Sequence, residues 1–458
     1  MHKKYPLLMM TLMLFFYSIS ANAHNLPDLG SPGLVIYDRQ TEIELGRAFT
    51  QALHNDVDLI KDPQVLSYVR RIGHRIAEHA QDNRNYRFYV IDDDAINAFA
   101  GPDGIIGIHK GLILAADTED ELASVIAHEI AHVTQQHLAR RFEQQSSLNV
   151  TSFASLLAAI LIGTQNPGAG VAALMGATGL SMQEQLRHSR IHEHEADHIG
   201  ITLLQKAGYD PHAMAHFFGK LAKQQQIYEF RPPEILMTHP VTETRLAQAT
   251  HRASQLSKTQ HQHDPLNLGL IQLRLNPKRA TLQSRTGLLS TLECYQQTLN
   301  AHKQQNTPCL SEALNTHPNN RLLKLKHIRQ QQGLNPNRAV SDYAKLIELY
   351  PQDEAILLLF AQAYRTLGQE ENAQTLIISH LDNKRYKYAL YQELSQSFSS
   401  QQRLAEAYLF EAFAYFDLGN LQRAQHLLMQ SKRTHRPIAN IYQKTQQQLA
   451  TQIKPNKN

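Results

Sequence analysis

At 458 residues the chain is too long for one ordinary hydrophobic core, so two domains are the starting expectation. Its 45 Lys and Arg nearly balance 41 Asp and Glu, giving a formal net charge of +4. Without a long basic run or basic residues interleaved with aromatics, this composition excludes nucleic acid as an expected partner.

Residues 1–23 read as a signal peptide. Lys3 and Lys4 precede an apolar run over 7–19, and Ala21, Asn22 and Ala23 form the small-residue end, with cleavage expected before His24. As a helix that run would be about 20 Å long, short of the roughly 30 Å hydrocarbon core that a retained anchor must cross. Position 23 is not cysteine, so lipidation is not indicated. Loss of Lys3 and Lys4 lowers the formal charge from +4 to about +2. The mature chain is expected to be exported.

Two helices are predicted over 41–80, where Val65, Val69, Ile72 and Ile76 form one apolar stripe. "RFYVI" at 87–91 and "GIIGIH" at 104–109 read as strands, the second preceded by the turn residues "GPDG". "TEDE" then gives a capping box, with Thr118 as N-cap and Glu121 at N3. The helix it opens buries Leu122, Val125, Ile126, Ile130 and Val133 and carries "HEIAH" at 128–132. Residues 150–182 are nearly uncharged and are broken by "TQNPGAG". They suit a buried helical hairpin, a lid over a cleft, or an apolar surface for peripheral membrane or partner contact.

Past about residue 250 the composition turns polar, and 256–275 reads as a linker between residues 24–255 and a second domain at 276–458. Its two cysteines, Cys294 and Cys309, are close enough in sequence to pair in an oxidising compartment; two buried thiols are the alternative. A helical repeat follows. Ala339 and Ala373 are 34 residues apart and Gly333 and Gly368 are 35 apart, the tetratricopeptide period. Tyr364/Tyr415, Gly368/Gly419 and Ala373/Ala424 are each 51 apart, which implies an additional helix around 386–398.

Two stretches fit H-E-x-x-H, the spacing that puts two imidazoles on one helical face around a metal: His128–His132 and His194–His198. The first has Ile130 and Ala131 between its histidines and an apolar far face, as a helix through a core requires. The second is set among polar residues, "SRIHEHEADHIG". Read one residue earlier it gives Glu193 and Asp197 at i, i+4. Glu193 can complete a two-histidine, one-glutamate site with an open water position, and Asp197 can hydrogen-bond a ligand imidazole. His192, His194 and His198 then read as solvated surface histidines, with local metal scavenging as the alternative.

HEIAH, "SRIHEHEAD", and "THP" at 238–240 with Arg245, in that order, resemble the exported branch of the CAAX prenyl-protease-type zinc metalloendopeptidases. The fold this implies is mainly α: a metalloprotease domain with a small β-sheet, then an α-helical tetratricopeptide domain. The resemblance also implies one Zn²⁺ per chain on His128, His132 and Glu193, Glu129 as the base that activates water, and Asp197 as an auxiliary acid. His239 matches a histidine that can fill the open metal position and hold the enzyme inactive. The implied location is the periplasm. The implied partners are unfolded or misassembled outer-membrane polypeptides, handled by both proteolysis and chaperoning, and the barrel-assembly machinery, met through the repeats. Gly104, Ile105, Ile106, Gly107 and Ile108 can pair with an extended substrate by strand addition, or form a plain sheet edge.

Overall fold

The computed structural model describes residues 38–82, 84–144, 182–227, 233–257, 264–279, 288–300 and 308–453. The expected signal peptide and nearly all of the apolar 150–182 segment lie outside them.

Each early element starts where its sequence supplies a cap. Helix α1 (Arg39–Asp56) follows Asp38, whose carboxylate accepts from Thr41 N at 2.7 Å. Helix α2 (Pro63–Ala77) follows Asp62, which accepts from Gln64 N and Val65 N, and Pro63 loses no needed donor in the first turn. Its stripe of Val65, Tyr68, Val69, Ile72 and Ile76 is fully buried. Gly73 on the same helix lets the sheet approach: a Cβ there would lie 2.4 Å from the Phe88 ring.

The sheet has three strands, β1 (Arg87–Ile91), β2 (Ala98–Ala100) and β3 (Ile105–His109), in the order β1-β3-β2. β1 runs parallel to β3, from Arg87↔Ile105 to Ile91↔His109. β2 runs antiparallel to β3, from Ala98↔Ile108 to Ala100↔Ile106. This overturns the substrate-strand expectation for Gly104, Ile105, Ile106, Gly107 and Ile108. β3 is the central strand, with both ladders taken, and Gly101 N closes further onto Ile105 O at 2.7 Å. The short strand β2 supplies the second ladder, and its three residues gave no periodic signal in the sequence. Gly107 is required at the centre, because a Cβ there would lie 2.3 Å from the Phe99 ring.

Helix α3 (Lys110–Ala115) leads into α4 (Glu119–Thr134). Thr118 Oγ1 caps Glu121 N at 3.2 Å, but the Glu121 carboxylate accepts from Asp117 N at 2.8 Å. The reciprocal half of the capping box therefore falls one residue before the expected donor. Leu122, Ala123, Ile126, Ala127 and Ile130 have no exposed surface, so α4 runs through the core rather than over it. Helices α5 (His137–Gln144), α6 (Met182–Lys206) and α7 (Ala213–Ile227), a single turn at Ile235–Thr238, and α8 (Glu243–Ser254) complete this part.

The second part is helical throughout its described residues. It comprises α9 (Leu266–Leu275), α10 (Leu289–Asn300), α11 (Pro308–Thr316), α12 (Arg321–Leu334), α13 (Pro336–Leu349), α14 (Glu354–Thr366), α15 (Glu370–His380), α16 (Tyr388–Ser400), α17 (Leu404–Asp417), α18 (Leu421–Lys432) and α19 (Asn440–Ile453). From α9 to α19 each helix packs on the next, while residues 280–287 and 301–307 between α9 and α11 are not among the described ones. Gly368 (φ +71°) and Gly419 (φ +77°) end α14 and α17 in the left-handed conformation that glycine takes freely. At the first repeat the break falls on Asn335 instead of Gly333. Asn335 ends α12, and its side chain caps Arg338 N as α13 begins with Pro336. The expected extra helix is α16, displaced by two residues.

The linker reading of 256–275 fails over its second half. α9 is among the most buried helices, with Leu266, Leu268, Leu270, Ile271 and Leu273 in the same core as α2 and α4, and Gln272 Nε2 donating to Ile113 O and Ala116 O. The polar run before it set the sequence reading, while its own apolar residues are packed all round. Cys294 and Cys309 are joined in a disulfide, Cα atoms 5.8 Å apart, clipping α10 to α11. The later helices dock on the first part through Arg70–Glu354 (2.8 Å), Ser67 Oγ–Asp353 (3.1 Å) and Phe88 N–Tyr386 OH (2.9 Å).

Candidate metal centre

Helix α4 presents His128 and His132 one turn apart, and α6 packs against α4 and presents Glu193 and Asp197 one turn apart. Gly200 makes this approach possible, since a Cβ there would press within 3.2 Å of the His128 backbone. His239 enters at the end of the Ile235–Thr238 turn, and Thr242 then starts α8 by capping Arg245 N.

These elements bring four donors around one point. His128 Nε2 lies 3.0 Å from His132 Nε2 and 3.3 Å from His239 Nδ1. Glu193 places its oxygens 3.3 Å from His128 Nε2, 3.5 Å from His132 Nε2 and 3.0 Å from His239 Nδ1. Ligands at 2.0–2.1 Å from a tetrahedral ion are separated from one another by about 3.3–3.4 Å. The donor set therefore has both the chemistry and the spacing of a metal site, and it is the one such group among the described residues. Glu129 stands beside it, 1% exposed. Its Oε1 has no hydrogen-bond partner among the described residues, and His239 Nε2 is 3.5 Å away. An acceptor left unpaired in a core is costly unless a further group belongs there. The residues fit a metal with its water.

Charge is balanced around the donors. The Asp197 carboxylate faces His128 Nδ1 at 3.0 Å and is gripped by Arg245, whose Nε and Nη2 each donate at 2.7 Å. Arg245 Nη1 also donates to Pro240 O at 2.8 Å and lies 3.1 Å from Glu193. Burial pushes the carboxyls of Glu193 and Asp197 up. The imidazoles around Glu193 outweigh it and hold that group well below the usual carboxylate range, and Arg245 and His128 do the same for Asp197. Burial pushes His132 well down. For His128 burial is overcome by Asp197 and Glu193, which raise it to about 10.

The structure thus brings together His128, Glu129, His132, Glu193, Asp197 and His239. The sequence reading missed three neighbours. Arg245 was seen as part of a motif, but its hold on Asp197 was not, although a buried aspartate requires a cation. His137 sits five residues from His132, off its helical face. It returns only because Gln136 takes a left-handed turn (φ +54°) between α4 and α5. Its partner Glu195 lies between the two acids singled out. Of the three histidines read as solvated, His198 is exposed but His192 is 4% exposed and stacked on His137.

Residues 63–253 match peptidase family M48. This segment is similar to the M48 metallopeptidases. The chain is similar to the beta-barrel assembly-enhancing protease of Escherichia coli (strain K12), 40% identical over 236 residues, 51% of this chain and 48% of that protein. The protein of that name from Yersinia pestis is 39% identical over 232 residues, 50% of this chain and 48% of the relative. Mitochondrial metalloendopeptidase OMA1 of Bos taurus is 30% identical over 202 residues, 42% of this chain and 38% of the relative. The chain spans about half the length of the first two relatives. The matched M48 segment opens with α2 and closes inside α8, so it holds all four donors, and α9 to α19 follow it.

Proposed function

We propose that the protein is a periplasmic zinc endopeptidase that acts on outer-membrane β-barrel polypeptides, cleaving misassembled ones, and that its helical region binds these chains and their assembly machinery. The observation that carries the reading is the buried donor set with the unpaired Glu129 oxygen beside it. Histidine and carboxylate donors at tetrahedral spacing favour zinc. The names of the bacterial relatives support the substrate class, and the disulfide supports an oxidising compartment. Among the described residues no helix is long and apolar enough to cross a membrane.

Zinc would be held by His128, His132 and Glu193, where it supplies Lewis acidity that acidifies a water and polarises a peptide carbonyl. Glu129 Oε1 accepts the proton of the attacking water and returns it to the leaving amine. Asp197, anchored by Arg245, keeps hydrogen on His128 Nδ1 and thereby leaves Nε2 free to bind. His239, whose Nδ1 is 3.0 Å from Glu193, would be a further ligand and would keep substrate out at rest. Strand β2 is at the sheet edge, packed on α4, and is in position to pair with an extended chain. The 34-residue spacing and consecutive packing of the later helices support a tetratricopeptide-type binding surface.

Glu129→Gln tests the reading. Zinc content should stay at one per chain, while cleavage of an unfolded barrel protein falls by about 10²–10⁴-fold. Retained cleavage would refute it. A second reading, a binding module with latent proteolysis, is favoured by His239 standing 3.0 Å from Glu193 and closing the site. Full rescue of outer-membrane barrier function by Glu129→Gln, in cells lacking the protein, would decide for it.

A further inference from the structure

The two histidines on α4 are supported differently. His128 has a carboxylate, Asp197, directly behind its Nδ1. Behind His132 Nδ1 stands a third imidazole, His137 Nδ1, at 2.8 Å. His137 Nε2 is 3.0 Å from Glu195 Oε2, and Arg140 Nη1 donates to the same oxygen at 2.8 Å. His137 is 3% exposed, and His192 stacks on it with ring centroids 4.3 Å apart and planes 14° from parallel.

This geometry allows one assignment of hydrogens among neutral rings. His132 turns Nε2 to the donor cluster, so that nitrogen carries a lone pair and Nδ1 carries the hydrogen. The neighbour at 2.8 Å must then accept, which leaves His137 Nδ1 bare and puts its hydrogen on Nε2. Nε2 donates in turn to a carboxylate, an acceptor only. Every link agrees with the next, and the chain ends on an acid fixed by an arginine. We propose that His137 and Glu195 form a positioning relay that fixes the tautomer and ring plane of His132 and so raises its affinity for the metal. The inference rests on the metal-site reading above. Helix α5 and its left-handed entry at Gln136 have a purpose on this view: they return the chain so that a residue off the α4 face reaches the ligand.

The test is zinc affinity of the full chain, measured by competition with a chromophoric chelator, for wild type, His137→Phe, His137→Gln, Glu195→Gln and the double variant His137→Phe/Glu195→Gln. Phe keeps the volume and the stack on His192 but cannot accept. Gln can accept from His132 and donate to Glu195. His137→Phe should weaken zinc binding by about 10–100-fold, with His137→Gln retaining most of the affinity. Glu195→Gln should weaken binding severalfold in wild type and not at all when His137 is already Phe. Equal affinities for His137→Phe and wild type, equal losses for Phe and Gln, or an undiminished Glu195→Gln effect in the double variant would overturn the relay. Should His137→Phe not fold, the near-normal affinity of His137→Gln and the loss in Glu195→Gln decide alone. An unaffected Glu195→Gln would overturn it. Wild type that takes up no zinc at these donors would instead sink the metal-site reading.

Discussion

Replacing Arg245 with Met should be among the most damaging single changes in residues 63–253. The side chain is 2% exposed and makes two 2.7 Å hydrogen bonds to Asp197, one of 2.8 Å to Pro240 O, and a 3.1 Å ion pair with Glu193. Met has similar length, so the steric cost is small. What remains is two buried carboxylates without their guanidinium, and breaking such a pair from one side costs about 3–5 kcal/mol. The loss must depend on pH with a definite sign. Arg245 is the foremost attraction holding the Asp197 carboxyl below its ordinary value of 3.8, against a burial that pushes it up. The stability tied to that ionised form is therefore complete above about pH 4 and is lost as pH falls through the lower folded value. Urea unfolding of wild type and variant at pH 7 and at about pH 2.5, inside that window, measures both quantities. A deficit under 1 kcal/mol at pH 7, or one that grows on acidification, would refute the reasoning.

His239→Ala should raise basal cleavage of an unfolded substrate without changing zinc stoichiometry; unchanged turnover would place its role elsewhere. Replacing Cys294 and Cys309 with serine opens a loop of sequence separation 15, which the loop-entropy model values at about 3 kcal/mol, and a denaturation midpoint equal to wild type would contradict this. His74 accepts from Arg385 at the junction of the two parts. Burial, then Arg385 and Arg70, depress it from 6.5 to about 3. A depressed folded value means stability is complete above pH 6.5 and falls by up to about 1.4 kcal/mol per unit below it. His74→Gln should flatten that acid limb; an identical slope in the variant would exclude His74 as its source.

What the sequence made legible follows from how local each signal is. The helix start at Thr118, strand β1 and the alternating repeat helices are fixed by neighbours within a turn. Sequence therefore places them within about two residues. The pairing of α4 with α6 was legible because i, i+4 spacing puts His128 with His132 and Glu193 with Asp197 on single faces. Strand β2 and the central place of β3 were not, since three residues carry no period and strand order is a long-range property. The relay behind His132 was hidden for the same reason: it depends on one left-handed residue at Gln136, a position where no glycine announces the turn.

The burial of α9 beneath α2 and α4 bears on how this chain can be divided. A cut drawn at residue 255, where the composition changes, would strip Leu266, Leu270 and Ile271 from the packing of the half that carries the four donors and leave a greasy face in water. That half is thus not a detachable cassette. Its melting and that of α9 to α12 should form one transition, and deletions from the carboxyl end should be tolerated only until they reach α12, whose Leu322 and Leu323 still belong to the shared core.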